Sequence, residues 1–446
     1  MSTTKIVVSD LHLADGSPIL DCFADSQQMA FEGLLENFGS GDEQGSVELI
    51  INGDCFDFLV TRPYAFDGTI DQPTALLKIE KIIAAHGPFF TALRSFIAHP
   101  DCTVTFTTGN HDLELCFARV RARVCVAITG QESDPRVYFC PTRFYRPLPD
   151  VYIEHGNHYD FWNHAIAGLW DEQGQPLTRE PERITLSMGS RYFQHSAYLI
   201  SERYPYFDHF EPSMNTPRQI ALLSLLAPAL IEETARLTMQ LLSYPREALA
   251  NLPPGEARIP VRLFEETMVD FVAFQEDMVA QKRDWTADSS EMQISPTELQ
   301  EFMQLRADLS LPLAEAVASI CTPAVYQMGE AVAQGMHAVL QRDPHLRYAI
   351  AGHTHMIRHN TLGSQEYLNT ASWTRRYAQP VAMTPELLAW LHAPAWDAIP
   401  LRDVTRLIFV LLTADEHGPA CASLCAWTAN GLADRGSYRV LGQYKE

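Results

Sequence analysis

Short apolar runs alternate with longer stretches of helical spacing over the first third of the chain, and the alternation returns near its end. Strands are predicted at residues 6–8, 47–51, 104–108, 151–154, 347–351, 366–369, 407–412 and 420–427. Apolar residues recur every three to four positions over 17–38 and 74–98, which predicts helices, the second with a break at Gly87-Pro88. Strands separated by helices in this way predict an α/β fold.

The middle of the chain, residues 163–344, has a different pattern. Strand-like runs fade, and helices rich in alanine and leucine are predicted at 221–242, 261–282 and 311–340. We therefore predict a mostly helical insertion at 163–344 between two α/β segments, 1–162 and 345–446, that form one domain. Helical spacing leaves two interpretations of the insertion open: a subdomain or dimer surface with its own core, or a lid over an apolar or nucleotide-bearing substrate.

Residue types that bind metals follow the predicted strands. They are Asp10, His12, Asp54, Asn110, His155, His353 and His355, with His111 and Asp112 beside them. Because open α/β sheets place their sites at the carboxyl ends of strands, we expect these side chains to converge. Asp10 and His12 stand two positions apart, as do His353 and His355, and this spacing puts both members of a pair on one face of an extended segment.

The chemistry of these residues favours a two-metal centre. Carboxylates, neutral imidazoles and an amide oxygen suit manganese, iron or zinc, of which we favour manganese. In such a centre the ions lie about 3.5–4 Å apart, and one carboxylate binds both. Asp54 is the predicted shared ligand, because Gly53 before it allows a tight turn after the strand.

The motifs resemble those of the calcineurin-like metallophosphoesterases in type and in order. They are Asp10-x-His12, Gly53-Asp54 with Asp57, Gly109-Asn110-His111-Asp112, His155-Gly156 and Gly352-His353-Thr354-His355. The resemblance implies a β-sandwich of mixed sheets flanked by helices, with the metals at the strand ends. It implies two ligand sets, which are Asp10, His12, Asp54 and His355 for one ion, and Asp54, Asn110, His155 and His353 for the other. It also implies that His111 acts on the leaving oxygen and that Asp112 orients His111, whereas Asp57 is expected to support the site without binding metal.

A second resemblance is to the UDP-2,3-diacylglucosamine pyrophosphatases, in which a helical cap covers an acylated substrate. It depends on the residues at 9–13, on His155-Gly156 with Asp160 shortly after, and on the insertion before Gly352. Those enzymes carry arginine at the position of His111, and their cap is far shorter than residues 163–344.

Together these observations predict an enzyme, a binuclear metallophosphoesterase that hydrolyses a phosphoester or pyrophosphate bond. The expected reaction is direct in-line attack of a metal-bound hydroxide on the phosphorus of a small-molecule or lipid-linked phosphate, with nucleotide-linked substrates included. The alternative is a catalytically inactive scaffold or binding protein on the same fold, which the filled ligand positions disfavour. A nuclease or a protein phosphatase is a third interpretation.

Charge and composition limit the classes of partner and the cellular location that we expect for this protein. Lysine and arginine total 33 against 55 for aspartate and glutamate, and the formal net charge of −22 argues against binding to nucleic acid backbones. The nine cysteines form no CxxC pair and no signal-peptide pattern opens the sequence, so we expect a cytoplasmic protein without a disulfide framework. No transmembrane segment is predicted, and the patterns are compatible with a homo-oligomer.

Overall fold

The computed structural model describes all the predicted motifs and most of the two α/β segments. The described residues are 3–17, 20–39, 45–64, 68–160, 163–164, 169–171, 173–176, 181–192, 194, 209–211, 329–378, 390, 399–415, 418–428 and 436–441. The helices predicted at 221–242 and 261–282, and residues 311–328 of the third predicted helix, lie outside the described residues.

Strands and helices alternate in the described part of the chain. The strands are β1 (Thr3–Val8), β2 (Ser46–Asn52), β3 (Thr69–Asp71), β4 (Cys102–Thr107), β5 (Val137–Phe139), β6 (Phe144–Leu148), β7 (Val151–Glu154), β8 (Arg183–Thr185), β9 (Phe210–Glu211), β10 (Tyr348–Ala351), β11 (Ile357–Leu362), β12 (Gln365–Thr370), β13 (Tyr377–Ala378), β14 (Leu407–Ala414), β15 (Cys421–Thr428) and β16 (Ser437–Val440). The helices are α1 (Asp25–Gly39), α2 (Gln72–Ala85), α3 (Gly87–Ile97), α4 (Ala118–Thr129) and α5 (Met188–Tyr192), with short 3-10 helices at Leu113–Cys116 and Asn157–Tyr159. Residues 329–342 are also helical. The prediction of an α/β fold is confirmed.

The larger sheet has seven strands in the order β16-β15-β14-β1-β2-β4-β5. Its centre is parallel from β1 through β2 and β4 to β5, whereas β14, β15 and β16 run antiparallel to their neighbours. The register aligns Val8 with Ile51 and Asn52 with Thr107, so the carboxyl ends of β1, β2 and β4 lie at one edge of the sheet. The predicted hairpin of 407–412 with 420–427 is present as β14 and β15.

The smaller sheet has five strands in the order β11-β12-β10-β7-β6. Strands β7, β10 and β12 are parallel, and the edge strands β6 and β11 are antiparallel to their neighbours. Both large sheets are therefore mixed. Two short pairs, β3 with β8 and β13 with β9, complete the described strands.

A buried apolar core lies between the two large sheets. It contains residues of both sheets, including Val7, Ile50, Val410, Ile153, Ile350 and Leu368. The other face of the larger sheet packs against α1 to α4 through a core that includes Phe31 and Phe89. The other face of the smaller sheet packs against the helix at 329–342 through Val332 and Met336. The layers are thus helices, larger sheet, smaller sheet and helix.

Helix α1 begins at Asp25, later than the predicted start at residue 17. The carboxylate of Asp21 accepts hydrogen bonds of 3.0 Å from the backbone N–H groups of Gly16 and Phe23. Bonds from a short polar side chain to the nearby backbone compete with helix formation. The segment before α1 is therefore a loop, although its apolar residues have helical spacing.

The chain divides into two compact units. The first comprises Met1–Gln194, Met328–Arg376 and Asp403–Glu446 and contains both large sheets, and the second comprises His195–Gln327 and Tyr377–Arg402. The predicted boundaries of 1–162, 163–344 and 345–446 stay predictions, because most of 163–344 lies outside the described residues. None of the helices among the described residues has the length and the apolar composition of a membrane span.

Candidate metal centre

The predicted metal ligands lie on loops that follow the carboxyl ends of parallel strands. They come after β1 (Asp10, His12), β2 (Asp54) and β4 (Asn110) of the larger sheet, and after β7 (His155) and β10 (His353, His355) of the smaller sheet. The apolar runs that build the sheets therefore end where the polar motif residues begin. Each loop starts from a buried strand, which fixes its position.

Six of these side chains form two of the three groups among the described residues that could hold a metal ion, and the third group is His12 with Asp57 and His111. The first, termed the Asp10 site, consists of Asp10, His12 and His355. The second, termed the His155 site, consists of Asp54, His155 and His353. Within each group the ligand atoms all lie within 4.8 Å of one another, a spread that suits a single ion bound at about 2.0–2.3 Å from each donor. The structure thus contains His/Asp groups that could each hold a metal ion.

Asp54 lies next to both sites. Its Oδ2 is 3.0 Å from Nε2 of His155 and 3.9 Å from Nε2 of His12. Its Oδ1 accepts a hydrogen bond of 2.8 Å from the backbone N–H of His111. The residue is 1% exposed, so these contacts hold the carboxylate in place. The carboxylate of Asp54 therefore lies within reach of residues of both sites, and its role as a shared ligand stays a prediction.

Hydrogen bonds join the motif loops to one another. The N–H of Asp10 donates to the carbonyl of Gly53 at 3.2 Å, and the N–H of His12 donates to the carbonyl of Asp54 at 3.0 Å. The N–H of His353 donates to Oδ2 of Asp10 at 3.0 Å. The loops after β1, β2 and β10 therefore form one connected unit that spans both sheets.

Several predicted ligands have a left-handed backbone. The φ angles are 54° for Asp10, 53° for His12, 49° for Asp54, 67° for His353 and 56° for His355. Among the described residues, Ala371 is the other non-glycine residue with a positive φ. Such conformations cost on the order of 1–3 kcal/mol each and concentrate at functional sites. Of the six described non-glycine residues with a positive φ, five are predicted metal ligands. The backbone conformation is therefore a second indication of a functional site, separate from the residue types.

Two motif glycines allow the loops to approach closely. A Cβ atom at Gly109 would meet the carboxylate and the backbone nitrogen of Asp54. A Cβ atom at Gly53, which has a φ of 76°, would meet the ring of His155. Residues with a side chain do not fit at either position without moving a predicted ligand.

Each histidine of the two sites contacts, through one of its ring nitrogens, a group that does not belong to either site. The contacts are Asp57 Oδ2 with His12 Nδ1 (2.9 Å), the Asn52 carbonyl with His155 Nδ1 (2.9 Å), Asp160 Oδ2 with His353 Nε2 (3.1 Å), and Arg376 Nη2 with His355 Nδ1. Burial, and then the charge of Arg376, lower the pKa of His355 to about 3. The sequence motifs drew attention to Asp57 and Asp160, but no motif includes Arg376 or the carbonyl of Asn52.

His111 lies beside the centre, and its partner differs from the one that the resemblance implied. Its Nδ1 is 3.0 Å from Oδ1 of Asp57. The carboxylate of Asp112 instead accepts hydrogen bonds from the backbone N–H groups of Gly109 at 2.6 Å and Cys55 at 2.9 Å. Asp112 is fully buried at the start of a 3-10 helix, so it fixes the loops after β2 and β4. The carboxylate beside Nδ1 of His111 is therefore that of Asp57, and the orienting role implied for Asp112 stays a prediction.

The charges of the centre stabilise one another. Burial acts to raise the pKa of Asp54, but His155 and His111 lower it well below the usual value. Burial acts to lower the pKa of His155, but Asp54 and Asp10 raise it to about 10. Burial likewise opposes the charged form of His111, but Asp57 and Asp54 raise its pKa to about 9. The carboxylate of Asp54 therefore stays ionised at neutral pH, and a cation bound by His155 would displace the proton of that imidazole.

The donor atoms fit divalent metal ions. Asn110 is 3% exposed, and its Oδ1 has no hydrogen-bond partner among the described residues. A buried polar atom without a partner costs about 1–3 kcal/mol, which a cation bound to that oxygen would offset. Carboxylate, imidazole and amide donors together suit manganese, iron or zinc. The identity and the number of the ions stay predictions.

Comparison with known proteins does not assign a family. No protein-family model matches the sequence, and no curated protein matches it. The likeness to the metallophosphoesterases therefore stays a proposal, and the geometry of the centre is the basis for assigning a function.

Proposed function

We propose that this protein is a metal-dependent phosphohydrolase with a two-metal centre, similar to the calcineurin-like metallophosphoesterases. The observation that carries the proposal is the convergence of the Asp10 site and the His155 site on Asp54, with His111 beside them. The ring centroids of His12 and His111 are 4.6 Å apart. Two adjacent cation sites with a proton donor next to them suit the hydrolysis of phosphate esters.

The residues of the centre are assigned to two metal ions in this proposal. Asp10, His12 and His355 would hold one ion, and Asn110, His155 and His353 would hold the other, with Asp54 as the ligand of both. When bound, the ions would neutralise the charge on the phosphoryl oxygens and generate a nucleophile from water at neutral pH. Burial of most of these residues keeps their donor atoms in fixed positions.

His111 is the residue to which we assign proton donation. Its side chain is 20% exposed, whereas that of His155 is 1% exposed, so His111 is open to a substrate. Its Nδ1 faces Asp57, and Nε2 is the ring nitrogen to which we assign the contact with the substrate. As the oxygen of water bonds to phosphorus, water loses a proton to the solvent and the bond from phosphorus to the ester oxygen breaks. His111 gives its proton to the departing oxygen and regains one from the solvent.

Removal of bound metal should abolish hydrolysis, and addition of Mn²⁺ to the stripped protein should restore it. The measurement is turnover of p-nitrophenyl phosphate, bis(p-nitrophenyl) phosphate and a UDP-sugar, which represent monoester, diester and pyrophosphate bonds. From the resemblance to the UDP-2,3-diacylglucosamine pyrophosphatases we propose a small-molecule or lipid-linked substrate, so the UDP-sugar arm is of most interest. Ca²⁺ at the same concentration is the control, because it prefers oxygen ligands and should restore less activity. Absence of turnover on every substrate, with Mn²⁺ shown to be bound, would favour the scaffold alternative.

The variant Asp57→Asn should lower kcat by about 10–100-fold, the effect usual for a group that orients a metal-binding histidine. Asp57 contacts both His12 and His111, so the loss of its charge weakens two functions at once. The matched control is Asp21→Asn, because Asp21 also pairs with a histidine, His86, at 2.7 Å, but that pair is not part of the centre. Equal kcat values for wild type and Asp57→Asn would show that the carboxylate has no role.

A further inference from the structure

A histidine that binds a metal through one ring nitrogen carries a hydrogen on the other, and this N–H group needs an acceptor. Carboxylates and backbone carbonyls are the usual acceptors, and their removal weakens metal affinity by about 10–100-fold. The groups behind the histidines of the two sites therefore indicate how well each site binds a cation.

Both histidines of the His155 site have such an acceptor. Nδ1 of His155 lies 2.9 Å from the carbonyl oxygen of Asn52, and Nε2 of His353 lies 3.1 Å from Oδ2 of Asp160. Asp160 is 3% exposed, and the same oxygen accepts a hydrogen bond of 2.6 Å from Nδ2 of Asn163. Each ring therefore keeps its other nitrogen for a cation.

The two histidines of the Asp10 site differ from each other. His12 has an acceptor, because its Nδ1 lies 2.9 Å from Oδ2 of Asp57. His355 faces a donor instead, because its Nδ1 contacts Nη2 of Arg376. A guanidinium has only N–H donors and no acceptor. The lone pair of Nδ1 therefore accepts from Arg376, and the ring hydrogen lies on Nε2, the nitrogen 3.1 Å from Oδ1 of Asp10.

The contact with Arg376 opposes metal binding by His355 in two ways. Coordination through Nε2 moves the ring hydrogen to Nδ1, where it would point at an N–H donor of Arg376. The permanent positive charge of the guanidinium also repels a nearby cation. Arg376 is 6% exposed, and its backbone is fixed by hydrogen bonds of 2.9 Å with Val404 and Thr405. Burial and these hydrogen bonds therefore fix the position of Arg376 beside His355.

We propose that the two metal sites are unequal: the His155 site binds its divalent cation tightly, and the Asp10 site is a weaker, exchangeable site whose affinity is set by Arg376. The inference rests on the metal centre of the proposed function and adds an order of affinity to it. Asp160 and Arg376 are positioning residues with opposite effects, since Asp160 supports His353 and Arg376 opposes His355.

The test is a titration of the metal-stripped full chain with Mn²⁺ alone, with free Mn²⁺ measured by electron paramagnetic resonance. The wild type should bind two ions whose affinities differ by about 10-fold or more. Arg376→Gln should raise the Mn²⁺ affinity of the weaker site by about 10-fold, because the amide oxygen can accept a hydrogen bond from Nδ1 of His355 and the positive charge is removed. Arg376→Lys keeps a positively charged donor and is the matched control, with the weaker class unchanged. Asp160→Asn should weaken the tighter class by about 10-fold.

Equal affinities in the wild type would overturn the proposal, as would an Arg376→Gln variant that binds no more tightly than Arg376→Lys. Weakening of the other class by Asp160→Asn would overturn it too. Thermal melting of each variant detects misfolding, and the wild-type and Asp160→Asn titrations decide the question if Arg376→Gln does not fold. Unequal binding without hydrolysis would contradict the proposed function alone, whereas hydrolysis with two equal sites would contradict this inference alone.

Discussion

Replacement of His111 by alanine is expected to lower kcat by about 10²–10⁴-fold, the usual contribution of a positioned general acid. Nδ1 of His111 lies 3.0 Å from Oδ1 of Asp57, and the side chain of His111 is more exposed than that of His155. The substitution removes the proton donor and leaves the metal-binding side chains of both sites in place. Metal content should therefore stay at the wild-type value while turnover falls.

The dependence on the leaving group distinguishes a general acid from a residue that only maintains the structure. Dinitrophenolate leaves without a proton, so His111→Ala should lose less activity on 2,4-dinitrophenyl phosphate than on phenyl phosphate. His99→Ala is the matched control, because His99 is exposed and precedes the amino end of β4, whereas His111 follows its carboxyl end. An equal loss on both esters would contradict the assignment of proton donation to His111.

The second large effect is expected at Asp54. The variant Asp54→Ala should lose both metal ions, with a fall in affinity beyond the roughly 100-fold seen when groups behind a ligand are removed, and with loss of hydrolysis. Asp54 Oδ2 is 3.0 Å from His155 Nε2 and 3.9 Å from His12 Nε2, so one substitution removes a donor from both sites. It also leaves the N–H of His111 without its 2.8 Å acceptor, which loosens the loop after β4.

Metal stoichiometry after equilibrium dialysis against Mn²⁺ is the direct measurement for Asp54→Ala. The control is Asp101→Ala, which removes an exposed carboxylate at the amino end of β4 and should leave both ions bound. Asp54→Asn separates charge from position, since an amide oxygen still coordinates but without a negative charge. Retention of two ions by Asp54→Ala would show that Asp54 is not shared between the sites.

The central strands could be predicted because they are buried on both faces, so their apolar residues form continuous runs. Strand β1 shows this: Ile6, Val7 and Val8 are fully buried, with Val7 in the core between the sheets and Ile6 and Val8 in the core against the helices. Strand β16 was not predicted, because every one of its residues is exposed and no apolar run marks it. Helix α1 was placed too early, because a loop stabilised by Asp21 has the same apolar spacing as a helix.

The predicted metal-binding residues could be found in the sequence because each of the motifs that contain them is short and continuous. Asp10 with His12, and His353 with His355, are two residues apart, and each pair directly follows a buried strand. The residues that contact these histidines from outside the two sites are not all marked by a sequence motif. Arg376 is 21 residues from His355 along the chain, and the fold alone brings the two side chains into contact.

The α/β class and the metal-binding residue types at the strand ends follow from the sequence alone, since the burial pattern of a strand and the spacing of a motif each involve only a few neighbouring residues. The tertiary structure selects the carboxylate beside His111: Asp112 follows His111 directly in the sequence but turns toward the backbone of Gly109 and Cys55, whereas Asp57, far from it along the chain, contacts its ring. It also decided that His353 faces Asp160 while His355 faces Arg376. The contacts of Asp57 with His111, of Asp160 with His353 and of Arg376 with His355 join residues that are far apart along the chain, so they exist only in the folded protein.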